Sequence, residues 1–182
     1  SPAAEPFLED MAARARDETR RHFGNSVCLF TPLYVSNYCA NRCVYCGFNC
    51  DNRIHRATLD TDSVARELDA IAATGLEEVL ILTGESRGRS GVDYIGECVR
   101  LAAERFATVG VEVYPMNTDE YAVLHACGAD YVTVFQETYD PARYAELHLS
   151  GPKRVFSYRF DAQERALRGG MRGVAFGTLL GL

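Results

Sequence analysis

Apolar residues recur at helical spacing in two clear stretches of the chain. Val64, Leu68, Ile71 and Ala72 share one face, and so do Tyr94, Ile95, Cys98, Val99 and Ala102. Between such stretches lie short β-type runs at 79–82, 111–113, 131–135 and 174–176. Each run follows a glycine, at Gly75, Gly110, Gly128 and Gly170, where a helix is expected to stop in the left-handed conformation. A further run at 31–36 reads as the first strand. Asp60 or Thr61 is placed to cap the helix that follows, and Thr118 a later one. An earlier helix is expected over residues 5–22, with Phe7, Leu8, Met11 and Ala15 turned inward.

Strands alternating with helices predict parallel βαβ units, about five of them. Such units close into a barrel of the TIM type or form an open doubly wound sheet. Residues 1–30 read as a helical lead and 31–182 as the N-terminal part of the α/β unit. The chain stops at Leu182, just past the last strand, where a parallel strand still needs its covering helix. The expectation is a chain truncated at its C-terminus.

Charge and composition remove several classes of function. No run of 18 apolar residues occurs, so no membrane span is expected. The first residues lack the basic start and apolar centre of a signal peptide. Net charge is −6, with no basic stripe to attract nucleic acid. Arg14, Arg16, Arg20, Arg21 and His22 gather at one end of the first helix, opposite Glu5, Glu9 and Asp10, as the helix dipole favours. Seven cysteines are an odd set for a disulfide scaffold, and four of them fall within residues 39–50. A cytoplasmic metal site accounts for them better.

Cys39, Cys43 and Cys46 have the spacing C-x3-C-x2-C, directly after the first strand. Three soft thiolates in one tight loop suit an iron–sulfur cube and leave one iron without a protein ligand. A structural zinc site is the rival and needs a fourth ligand, for which Cys50 or His55 is near. A ferredoxin would carry a fourth cysteine on a much shorter chain. Buried, unmodified cysteines are the remaining possibility.

The same segment, from Pro32 through Cys46 to Phe48, resembles the radical S-adenosylmethionine superfamily. Within it the chain looks like the tyrosine lyases of thiamine biosynthesis. The likeness continues through residues 52–59, Leu82 to Glu85, Gln136 to Tyr139, Tyr158 and Arg159, and Gly177 to Gly181. It implies a (β/α) barrel of TIM type, a [4Fe–4S] cluster on Cys39, Cys43 and Cys46, and S-adenosylmethionine as cofactor. By motif, Tyr45 would pack on the adenine, and the turn at Gly84 and Glu85 would meet the methionine amino group. Glu137 and Arg159 would hold the ribose or the methionine portion, and Gly177 would approach the adenosine.

The implied reaction begins with one-electron cleavage of the cofactor to a 5′-deoxyadenosyl radical. It ends with L-tyrosine split at Cα–Cβ into 2-iminoacetate and p-cresol. A thiazole synthase is the implied consumer, and a flavodoxin or ferredoxin the electron donor. The related tyrosine lyases that mature [FeFe]-hydrogenase, making carbon monoxide and cyanide, are the alternative; a zinc-binding or scaffold module is another. Later strands and tyrosine-binding residues of the family lie outside this chain, so by itself it is expected to hold cluster poorly and not to turn over tyrosine.

Local readings compete with several of these roles. Tyr45 suits a core position, Glu85 a helix cap, Glu137 and Arg159 a surface ion pair, and Gly177 close packing. Cys28, Cys98 and Cys127 read as core, Cys50 as a redox-sensitive extra thiol, and His148 either as catalytic in proton transfer or as a structural or solvated loop histidine.

Overall fold

The computed structural model describes residues 2–182. Strands β1 (Phe30–Ser36), β3 (Glu78–Thr83), β4 (Thr108–Glu112), β5 (Tyr131–Thr133) and β7 (Gly173–Ala175) form one sheet in that order, and every pairing in it is parallel. Between them run α2 (Thr61–Ala72), α3 (Val92–Ala103), α4 (Thr118–Ala126) and α7 (Ala162–Arg168), packed side by side. A two-residue strand β2 (Arg42–Cys43) pairs antiparallel with β6 (His148–Ser150), outside the main sheet.

The period of two along the strands divides the sheet into two faces. Val35, Val79, Ile81, Val111 and Val132 join the helix-side core with Leu68, Ile95, Val99 and Leu124. Leu82, Glu112 and Thr133, of the other parity, line a cleft on the opposite face. Residues 79–82 are apolar throughout because β3 is covered on both sides, as parallel sheets require. The hydroxyl of Tyr94 ties α3 to β1, donating to Val35 O at 3.1 Å and Leu59 O at 2.8 Å.

Several expectations hold in detail. Gly75, Gly128 and Gly170 have φ of 85°, 114° and 99° at helix ends. Asp60 caps α2 by accepting from Ser63 N. Cys98 and Cys127 are buried. Among the described residues no helix is long and apolar enough to cross a membrane.

Others are corrected. Gly110 does not end a helix; it lies inside β4, where the Tyr131 ring crosses it so closely that a Cβ would sit 2.2 Å from Tyr131 Cζ. The cap of α4 is Asn117, in a capping box with Glu120, rather than Thr118. The first helix, α1 (Leu8–Phe23), follows a 3₁₀ turn over Pro2–Phe7 and buries none of its residues. Phe7, Leu8 and Met11 are 60%, 58% and 55% exposed, and Ala15 is exposed as well. Periodicity marked an apolar side but carried no information on what packs against it. Cys28 is exposed rather than core, its thiol donating to the Glu78 carboxylate at 2.5 Å. The short helices α5 (Pro141–Leu147) and α6 (Phe156–Phe160) and the β2–β6 ladder were not anticipated.

Ile81 and Met11 therefore differ sharply in expected cost. Ile81→Ala should lower unfolding stability by about 2–5 kcal/mol. Met11→Ala should stay within about 0.5 kcal/mol of the parent. Denaturant unfolding of the two variants measures both.

Candidate active site

The cysteine loop leaves the end of β1 and is built mainly from backbone. Asn37 spans it, donating to His55 O and accepting from Ala57 N, each at 2.8 Å. The Arg56 guanidinium gathers the carbonyls of Asn37, Phe48 and Asn49 at 2.6, 3.1 and 2.7 Å. One charged fork thus satisfies acceptors that a tight loop cannot pair with itself. Asn49 Nδ2 donates to Cys43 O at 2.9 Å, and Cys46 N to Cys43 O at 3.3 Å. Cys43 is 3% exposed, Cys39 and Cys46 are half-buried, and Cys50 is exposed. Burial pushes the Cys43 thiol up to about 11, with Lys153 opposing and the two neighbouring cysteines adding to the rise.

The turn after β3 lies against this loop. Gly84 N donates to Ser36 O at 2.9 Å. A Cβ on Gly84 would fall 2.3 Å from Tyr38 O and 3.2 Å from Cys39 Cβ, so only glycine allows the approach. Ala40 N donates to Glu85 O at 2.8 Å, and the Glu85 carboxylate takes the Asn41 amide at 2.6 Å. Glu85 therefore faces the cysteine loop instead of capping a helix.

On the other side the loop is held by the β2–β6 ladder, with Cys43 opposite His148. His148 is fully buried in β6, which corrects its placement on a loop and its solvated reading but not the structural one. Its ring stacks on Tyr144 at 3.8 Å. Nδ1 meets Tyr144 O at 2.8 Å and Nε2 meets the Tyr45 hydroxyl at 2.6 Å. The carbonyl partner assigns the proton to Nδ1, so Tyr45 is the donor to Nε2. Burial holds the imidazole neutral, lowering its pKa to about 4.

These elements enclose a cleft of about 360 Å³ at the C-terminal ends of the strands. Cys39, Cys43, Cys46, Tyr45, Gly84, Glu85, Glu137 and Arg159 all line it. Gly177 is not among the lining residues; it packs on the Phe135 ring, which is a cleft wall. Glu137 and Arg159 do not pair with each other. Glu137, the one non-glycine with positive φ among the described residues (70°), takes Lys153 Nζ at 2.8 Å, and both side chains are 13% exposed. Arg159 Nε donates instead to Phe135 O at 2.7 Å.

Sequence reasoning missed Lys153, Glu112 and Thr83, which also line the cleft. Glu112 has its pKa raised by burial first and by Glu137 second. Thr83 Oγ1 is buried without a hydrogen-bond partner, the one such side-chain atom among the described residues. The position of Glu112 at the end of a strand was the available signal. Lys153 had none, since its approach to Glu137 depends on the fold of α5 and β6.

The donor set is soft sulfur, and among the described residues no three Cys, His, Asp or Glu side chains converge tightly enough to hold a single metal ion. Three thiols lining one cleft are a donor set that suits iron. The unpartnered Thr83 hydroxyl fits a polar ligand lying beside it.

The sequence profile of the radical SAM superfamily matches residues 33–182. The 2-iminoacetate synthase of Escherichia coli (strain K12) is 45% identical over 182 residues, which is 100% of this chain and 48% of that protein. A 3-methylornithine synthase of Methanosarcina barkeri (strain Fusaro) is 30% identical over 162 residues, 86% of this chain and 46% of that one. Among solved structures, HydG, a maturase of the [FeFe]-hydrogenase, superposes with TM-score 0.92 at 31% identity, covering 97% of this chain and 40% of its own. The chain thus spans about half the length of the curated relatives it matches.

Gly84→Ala should cost about 1–3 kcal/mol, because backbone rather than a movable side chain blocks the added methyl. Gly88→Ala, with open space around its Cβ, should be close to neutral. Thermal or denaturant unfolding compares them directly.

Proposed function

The chain belongs to the radical SAM superfamily, and on that premise we propose that it is the cluster-bearing half-barrel of a lyase that opens the Cα–Cβ bond of L-tyrosine, giving 2-iminoacetate and p-cresol for thiamine thiazole synthesis. The observation that carries this reading is the meeting of Cys39, Cys43 and Cys46 with the Gly84–Glu85 turn on one cleft wall. The 45% identity to a 2-iminoacetate synthase supports the choice of substrate.

In this reading the three thiols ligate a [4Fe–4S] cluster and leave one position for S-adenosylmethionine. When bound, these two groups supply a one-electron entry to radical chemistry. The chain's own residues orient and shield. Tyr45, fixed by His148, offers its ring face to the adenine. Gly84 and Glu85 bring backbone to the methionine amino group, and the Thr83 hydroxyl is free to add a bond there. Glu137 and Arg159 take the ribose or the methionine portion, with Lys153 paired to Glu137 beside them. Gly177 keeps the Phe135 wall open. Phe48, Phe135 and Tyr34 give the cleft aromatic walls.

A thiazole synthase would consume the 2-iminoacetate, and a flavodoxin or ferredoxin would supply electrons. A cytoplasmic location fits seven free cysteines. The likeness to HydG favours a second reading, a hydrogenase-maturation lyase that carries the chemistry on to carbon monoxide and cyanide.

Anaerobic loading of the protein at its natural length with iron and sulfide separates these readings. Equal amounts of iron and acid-labile sulfide are expected. Cys39→Ala, Cys43→Ala or Cys46→Ala should each abolish binding, while Cys50→Ala should retain it. Zinc without labile sulfide would overturn the proposal. With L-tyrosine and S-adenosylmethionine, p-cresol without carbon monoxide or cyanide is expected; release of those gases favours the second reading.

A further inference from the structure

Asn41 is among the few buried polar side chains, 2% exposed, and none of the roles above uses it. It stands between Cys39 and Cys43, and its amide joins three segments of the cleft. Nδ2 donates to the Glu85 carboxylate at 2.6 Å and to Cys39 Sγ at 3.6 Å. Oδ1 accepts the Lys153 backbone N–H at 2.8 Å. The Asn41 carbonyl accepts from Cys50 N at 2.9 Å. Space around it is closed: Gly151, at φ +92°, would bring a Cβ within 2.4 Å of Oδ1.

These partners fix which way the amide points. An N–H can only be met by the amide oxygen, so Oδ1 faces Lys153 and Nδ2 faces Glu85 and the sulfur. Glu85 takes one amide proton in a charge-assisted bond. The second proton is thereby held toward Cys39.

We infer that Asn41 is a positioning residue that sets the reduction potential of the cluster assigned to the cysteine loop, by holding an N–H donor against the Cys39 sulfur. The inference rests on the function proposed above. A donor to a ligating thiolate stabilises negative charge on sulfur. Reduction adds negative charge, so the bond favours the reduced form and raises the midpoint potential. Removing the donor moves the potential in the negative direction. Asn41→Asp keeps an oxygen for Lys153 but turns a carboxylate toward Glu85 and leaves Cys39 without its donor. Asn41→Ala removes the donor without adding charge.

The test is an EPR-monitored redox titration of the natural-length protein, loaded anaerobically, beside both variants. Both should retain labile sulfide and titrate at a more negative potential, Asn41→Asp further than Asn41→Ala. A residue that serves only to shape the loop would lower cluster content and leave the potential of the bound fraction unchanged. A cluster-retaining Asn41→Ala with the parent potential overturns the inference. Should neither variant hold cluster, the parent protein decides. Grown with 15N-asparagine and reduced, it should give a 15N coupling in pulsed EPR, and its absence refutes the Asn41–sulfur bond. A parent protein that takes up no iron and sulfide defeats the proposed function itself, a result distinct from an unmoved potential.

Discussion

The place where the ends of β1 and β3 lie side by side governs the rest of the site. Ser36 pairs with Thr83, and a shift of register between Tyr34 and Ser36 turns the chain out of the sheet at that point. Parallel pairing sends both strands toward the same edge, so the cysteine loop and the Gly84 turn emerge together. Gly84 then lets the two backbones touch, with its N–H on Ser36 O. A slip of one residue in β3 would turn Leu82 into the helix-side core and withdraw it from the cleft.

Charge around the thiols follows from the same arrangement. Glu112, Glu137, Lys153 and Arg159 line one cleft, and Glu137 pairs with Lys153. Burial raises the Cys43 pKa to about 11, further into the range that favours the protonated thiol. A cationic metal group reverses that preference, since coordination removes the thiol proton outright. Asn37, Arg56 and the β2–β6 ladder carry the loop's backbone bonds.

Sequence pattern revealed what is local or periodic. The strand–helix alternation, the caps at Asp60 and the helix-ending glycines depend on neighbours a few residues away, and they were readable. The cysteine spacing was readable because Cys39, Cys43 and Cys46 lie on one short loop. Contacts set by distant segments were not. His148 reaches Tyr45 across 103 residues, and Lys153 meets Glu137 only through the turn that follows β6. Gly110 looked like a helix stop because a glycine before a β-type run has that meaning elsewhere in the chain; here it makes room for Tyr131. The apolar stripe of α1 predicted burial, yet Phe7 and Met11 remain exposed, since amphipathicity names a side and not a partner.

The central claim is that three sulfur ligands leave one iron for a small molecule. Pulsed EPR of the reduced protein with S-adenosylmethionine labelled at the methionine nitrogen and carboxylate tests it most directly. Hyperfine coupling from the labelled atoms to the cluster is expected. A cluster with every iron held by protein side chains, and no coupling from the label, would contradict it.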